Sequence, residues 1–300
     1  MTALFDINFF SKTLNMNTPM KVIVPQRQNH SIGVSQAPES ETYKILYLLH
    51  GMTDDHTIWL RRSNIERYVS DKNMIVVMPN VHLSWYTDTK YGLNYWKFIS
   101  EELLQICHEF FPYISSKRTD HLVAGLSMGG YGAIKLAMKR SDYFAYGASL
   151  SGALDVVNGL KNNKQQSLTG QPLSDQEKLY WQGIFGNFAQ AESENLFTML
   201  EAGLGKEATN YFACCGYQDF LYDHTKAFEK ECQKKKYQLT TDYSNGSHEW
   251  GYWDKQIFKV LDWYEENEKG VENGTSKIKG LPRRLLVGLC FSGLSSRRCL

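Results

Sequence analysis

The chain has 300 residues, with apolar side chains at 42%, charged ones at 22% and a formal net charge of +1. That supplies one large core and suits a single α/β domain, while the absence of a Lys and Arg excess excludes a general nucleic-acid binder. The charge is uneven: residues 270–300 hold six Lys or Arg against one Glu, a net +5, which leaves −4 on residues 1–269.

The opening Met1-Thr2-Ala3-Leu4-Phe5-Asp6 has no basic segment leading into an apolar run, so no secretory signal is read there. Strands are expected at Ile7 to Leu14 and Met20 to Val24, as a hairpin, then at Ile45 to Leu49, Met74 to Met78, Leu122 to Gly125, Tyr146 to Leu150, Tyr211 to Cys215 and Tyr237 to Tyr243. Several are short and continuously apolar, as strands buried on both faces of a parallel sheet must be. Helices are expected at Ser63 to Val69, Trp96 to Phe110, Gly130 to Lys139, Asp223 to Lys235 and Trp253 to Tyr264, the last with an aromatic stripe at helical spacing that reads as core. The alternation predicts a doubly wound, mostly parallel α/β sheet with an antiparallel N-terminal edge.

Two segments break this rhythm. About sixty residues separate the strands ending near Leu150 and starting near Tyr211; a structureless loop of that length is unusual, so a small helical cap is expected over about residues 156–208. Residues 270–300 lose periodicity and read as an irregular basic tail outside the domain of residues 1–269, with an origin in an expression vector among the readings. Their longest apolar stretch, Leu285 to Leu294, is interrupted by Gly288 and Ser292 and is too short for a bilayer, so a cytoplasmic protein without a membrane partner is expected. Cys107, Cys214, Cys215 and Cys232 lack paired spacing and read as reduced thiols; Cys290 and Cys299 fall in the tail.

The chemistry is written in Gly125-Leu126-Ser127-Met128-Gly129-Gly130, placed between the apolar Leu122-Val123-Ala124 and a helical pattern. Strand, turn and helix in that order make a Gly-x-Ser-x-Gly match a nucleophile elbow, whose tightness calls for glycine on either side of the serine. A serine nucleophile needs a base, and the base needs an acid to fix its tautomer. His248, in a loop after a strand, is the expected base, and His224 reads as a surface or cap histidine. Asp219, just beyond the strand Tyr211 to Cys215, is the expected acid, with Asp223 assigned to capping the next helix. The oxyanion needs two backbone donors: the Met128 amide at the helix start, and the Met52 amide in the turn Leu48-Leu49-His50-Gly51-Met52. His50 precedes the serine and reads as a hydrogen-bonded residue beneath that turn. Asp54, Asp55 and His56 read as a solvated turn, since no fuller ligand set accompanies them. Trp59, Trp85, Tyr86, Trp181 and Phe185 could wall a pocket or pack the core.

Together with Ser149-Leu150-Ser151-Gly152-Ala153-Leu154, Cys215-Gly216-Tyr217-Gln218-Asp219-Phe220-Leu221 and Gly246-Ser247-His248-Glu249-Trp250, these stretches resemble the esterase D family, most of all the tributyrin esterases of lactic acid bacteria and streptococci. The likeness spans roughly residues 5 to 266. It implies an α/β-hydrolase fold and a carboxylesterase that uses neither metal nor cofactor, acts on short-chain acyl esters and forms a homo-oligomer. Its triad falls on Ser127, Asp219 and His248, and its oxyanion donors on Met52 and Met128. Hydrolysis of S-formylglutathione and acyl transfer to an alcohol are the competing readings; a non-catalytic binding protein is disfavoured because all three reactive residue types occur in the expected order.

Overall fold

The computed structural model describes residues 1–26, 40–162, 168–186, 188–206 and 208–272. Among them runs one eight-stranded sheet in the order β1-β2-β4-β3-β5-β6-β7-β8. Its strands are β1 (Thr2–Ser11), β2 (Met16–Pro25), β3 (Lys44–Leu49), β4 (Met74–Pro79), β5 (His121–Leu126), β6 (Tyr146–Leu150), β7 (Asn210–Gly216) and β8 (Leu239–Ser244). β1 and β2 pair antiparallel with each other and β2 with β4, whereas β4, β3, β5, β6, β7 and β8 are parallel. The doubly wound sheet with an antiparallel edge is therefore as expected.

The helices are α1 (Ile58–Arg62), α2 (Ile65–Val69), α3 (Tyr95–Lys97), α4 (Leu103–Phe110), α5 (Met128–Lys139), α6 (Val156–Asn162), α7 (Asp175–Phe185), α8 (Leu196–Glu201), α9 (Tyr222–Lys235) and α10 (Trp250–Glu272), with a π turn over Phe98–Glu102 joining α3 to α4. Side chains alternate across the sheet, as the strand period of two requires. Ile45, Tyr47, Leu49 and Val123 enter one core with Tyr131, Phe144 and Phe228. Leu46, Leu48, Leu122 and Ala124 enter the other, with Trp59, Ile65, Trp253, Ile257 and Leu261. Every residue of β4, β5 and β6 is buried, because helices cover both faces.

Several boundaries differ from the expectation: α1 is not among the expected helices, and the helix expected from Ser63 starts at Ile65. The hairpin starts at Thr2 and turns at Lys12 to Asn15, where the Glu102 carboxylate accepts from Ser11 Oγ at 2.6 Å and from the Lys12 amide at 2.6 Å. Tyr237 is not in the last strand: its amide donates to the Cys232 carbonyl at 2.9 Å and closes α9, after Lys236 at φ 61°. α10 extends beyond the predicted stripe at both ends, to Glu272. Of the segment 270–300, residues 273–300 lie outside the described residues, Cys290 and Cys299 among them; the other four cysteines are buried and unpaired.

Between β6 and β7 the chain forms α6, α7, a 3-10 turn over Phe188–Glu194 and α8. A capping box between Ser174 and Glu177 starts α7. Its Trp181, Ile184 and Phe185 join the same core as Trp85 and Tyr131.

The strand order reverses at β3 and β5. From the end of β3 the chain leaves to one face through α1 and α2, and from the end of β5 it leaves to the other through α5. A crevice opens at the carboxyl ends of these two neighbours, the place where parallel α/β sheets hold ligands.

Candidate active site

Ser127 stands in that crevice as the residue between β5 and α5, with φ 53° and ψ −117°. A left-handed backbone at a non-glycine residue is strained, and it persists only where neighbours over-determine it. They do so here. A Cβ on Gly125 would lie 2.4 Å from the Gly129 carbonyl oxygen, and one on Gly129 would lie 2.6 Å from the carbonyl oxygens of both Leu49 and His50. Strand, helix and the neighbouring strand's end therefore touch through bare backbone. The serine hydroxyl does not cap α5, which leaves it free to face outward.

It faces His248. Ser127 Oγ lies 3.0 Å from His248 Nε2, and His248 Nδ1 lies 3.0 Å from both carboxylate oxygens of Asp219. Since a carboxylate only accepts, Nδ1 carries the proton, and Nε2 is the acceptor for the serine hydroxyl. Asp219 is buried and His248 has 18% of its side chain exposed. Burial pushes the Asp219 carboxyl up, but the His248 bonds, the Leu221 amide at 2.9 Å and the nearby Ser151 hydroxyl outweigh it, so the group sits below the usual carboxylate range. Ser151 itself contributes without a well-formed hydrogen bond.

The two loops bearing Asp219 and His248 follow β7 and β8 and are laced together. A Cβ on Gly216 would lie 2.1 Å from the Gly246 carbonyl oxygen. The Gly246 amide donates to Gln218 Oε1 at 2.8 Å and the Tyr217 amide to the Ser244 carbonyl at 2.9 Å. The imidazole is gripped between Phe220 and Trp253, at ring distances of 4.4 and 4.8 Å.

The turn after β3, which carries Gly51 and Met52, packs against the elbow. A Cβ on Gly51 would lie 3.5 Å from Ser127 Cβ. Neither the Met52 nor the Met128 amide spends its hydrogen in a backbone bond outside helices and strands among the described residues. His50 lies beneath, buried: its Nδ1 donates to the Gly51 carbonyl at 2.8 Å and its Nε2 accepts from the Val81 amide at 3.1 Å. Burial pushes its pKa down to about 4, so it is a neutral hydrogen-bonding brace. Asp54, on the same turn, is pushed up to about 6 by burial and then by Asp55.

One side residue departs from expectation. Asp223 does not cap α9, whose first residue follows Leu221 with no side-chain cap; Asp219 Oδ1 takes the Leu221 amide instead. His224 is half-buried against the start of the segment between β6 and β7: its Nδ1 accepts from the Asp155 amide at 3.2 Å, and burial pushes its pKa down to about 4. Trp59, Trp85, Tyr86, Trp181 and Phe185 are all buried in the core. Sequence reasoning missed Lys135, which is fully buried on α5. A lysine inside the otherwise small and apolar Met128–Met138 run was the available signal.

The esterase family model matches residues 11–264. The acetyl esterase of Caldicellulosiruptor saccharolyticus is 28% identical over 269 residues, 87% of this chain and 97% of its own length. Among solved structures, the fluorophosphonate-binding serine hydrolase F of Staphylococcus aureus, with substrate bound, is 30% identical at a TM-score of 0.74, covering 88% of this chain and 98% of its own. The S-formylglutathione hydrolase of the same organism, as apoenzyme, is 30% identical at a TM-score of 0.73, over 88% of this chain and 99% of its own. This chain belongs to the esterase family and, like these relatives, is a serine hydrolase on the α/β-hydrolase fold.

Proposed function

We propose that this enzyme hydrolyses short-chain acyl esters, from acetyl to butyryl, through an acyl-enzyme on Ser127. The observation that carries the reading is the unbroken line from Ser127 Oγ through both nitrogens of His248 to Asp219, with 3.0 Å at each step. His248 takes the hydroxyl proton as Oγ bonds to the ester carbonyl carbon. The carbonyl oxygen, now an anion, accepts from the Met52 and Met128 amides. Collapse breaks the bond to the alkoxy oxygen, and His248 returns the proton to the departing alcohol. Water then attacks in the same way, releasing the acid and restoring the serine. Asp219, buried and ionised, favours the imidazolium that forms in each half-reaction. The insertion between β6 and β7 acts as a cap that shapes the acyl pocket, and glycerides, aryl esters and acetylated sugars all fit a pocket that discriminates by only about 1–3 kcal/mol per methylene.

The likeness to an S-formylglutathione hydrolase favours a second reading, hydrolysis of a thioester by the same groups. One experiment addresses both. Acetyl, butyryl and octanoyl esters are assayed beside S-formylglutathione, in the wild type and in Ser127→Ala, with fluorophosphonate labelling of both. A butyrate rate well above the thioester and octanoate rates, lost with the label in a folded Ser127→Ala, is expected. Retained turnover in that variant would overturn the nucleophile, and a dominant thioester rate would overturn the substrate class.

A further inference from the structure

We propose that Lys135 is a positioning residue for the oxyanion-binding turn, acting through Tyr86 and His50. The inference rests on the Met52 amide being an oxyanion donor. Lys135 lies on α5, two turns beyond the elbow, with its side chain wholly buried. Its ammonium donates to the Tyr86 carbonyl at 2.8 Å and to Thr87 Oγ1 at 2.9 Å, pairs with Glu194, and lies 4.7 Å from the centre of the Trp96 ring.

The segment it grips is one that would otherwise relax. Trp85 and Tyr86 are consecutive buried aromatics at φ 54° and 53°, a left-handed conformation that is strained for a bulky residue. Gly132, one turn before Lys135, makes room for the Tyr86 ring, since a Cβ there would lie 2.4 Å from Tyr86 Cδ2. So placed, Tyr86 Oη donates to the His50 carbonyl at 2.8 Å. His50 Nδ1 in turn donates to the Gly51 carbonyl at 2.8 Å.

The Gly51 carbonyl and the Met52 N–H belong to one planar peptide. Holding the first by its oxygen therefore aims the second. Lys135 and the Met128 amide share a single helix, so the two donors are registered to the same rigid body: Met128 directly, Met52 through Lys135, Tyr86 and His50. A buried ion pair is weak evidence of stabilisation, because apolar replacement is often neutral or better. Aim is what this one supplies.

The test compares Lys135→Met, Tyr86→Phe and the double variant, with sites counted by fluorophosphonate labelling. Turnover and KM for a butyrate ester are read beside inhibition by a trifluoromethyl ketone, which forms a tetrahedral adduct. Each single change is expected to lower kcat about tenfold to a hundredfold, short of the roughly 10²–10³ of losing a donor outright. KM should stay within about threefold, and ketone affinity should fall in step with kcat. The double variant should lose little more than the worse single one, because both act along one line. Additive losses, or an unchanged kcat in Tyr86→Phe, would overturn the proposal; the second result is decisive even if Lys135→Met does not fold. Absence of label in the wild type would instead sink the serine mechanism.

Discussion

Ser127 keeps its left-handed backbone because its glycine neighbours leave no room for any other path. The clash at Gly125 is with backbone, the Gly129 carbonyl oxygen and carbon at 2.4 and 2.5 Å, and with Leu49 Cβ at 2.8 Å. None of these can rotate away. Gly125→Ala should therefore cost about 3 kcal/mol and tilt the elbow enough to break the 3.0 Å approach of Ser127 to His248. Gly159→Ala is the control: no atom lies within 4 Å of its added methyl, and alanine is favoured in a helix by about 0.5–1 kcal/mol. Urea midpoints and butyrate turnover read both. A Gly125→Ala protein with wild-type midpoint and turnover would mean that the elbow has slack the contacts deny it.

At the scale of elements, what could be read in advance was what local chemistry decides. Short apolar runs such as Ile45 to Leu49 and Leu122 to Gly125 became buried parallel strands because no amphipathic alternative exists for them, and Ser127 and Asp219 stood just past such strands, where loops must fall. What could not be read depends on partners distant in sequence. Glu102 sets the hairpin turn from ninety residues away, and Tyr237 closes a helix at the position where a strand was expected to begin. Lys135 is the sharpest case, since its partners Tyr86, Thr87 and Glu194 come from two other segments. Burial pushes its pKa down to about 8 against the opposing pull of Glu194; Lys139 also lowers it and Asp88 raises it. Between about pH 8 and the ordinary lysine value near 10.4 the unfolded chain holds more protons than the folded one, so this group makes folding more stable as pH rises. Losing its charge nonetheless loosens the grip on Glu194. Turnover should thus fall through about pH 8 to 9 while this group contributes no loss of stability. An alkaline fall in turnover that tracks unfolding would break that assignment.

Over the whole molecule, acid should do the opposite. Burial lowers His50 and His224 to about 4, and His56, His108 and His121 also lie below the ordinary histidine value, each with burial as the largest cause. A histidine kept neutral by folding is protonated more readily once unfolded. Between about pH 6.5 and 4 the unfolded state therefore binds more protons, and stability present above that window is lost as pH falls through it. For His50, only 1% exposed, the shift corresponds to roughly 3 kcal/mol. Asp54 works the other way: raised to about 6, it holds a proton that the unfolded chain has released, so it favours folding as pH drops from about 6 towards 4. Asp219 and Glu194, both lowered, lose their contributions only below that range. Five lowered histidines against Asp54 and the two other carboxyls that burial raises, Asp155 and Asp262, leave a net loss. Urea midpoints should fall steadily from pH 7 to 4.5, and Asp54→Asn should steepen the fall by removing one of the groups that resist it. A flat profile, or one that Asp54→Asn makes shallower, would mean that the buried imidazoles can take up protons in place, and the brace beneath the Met52 turn would then be a titrating group instead of a neutral one.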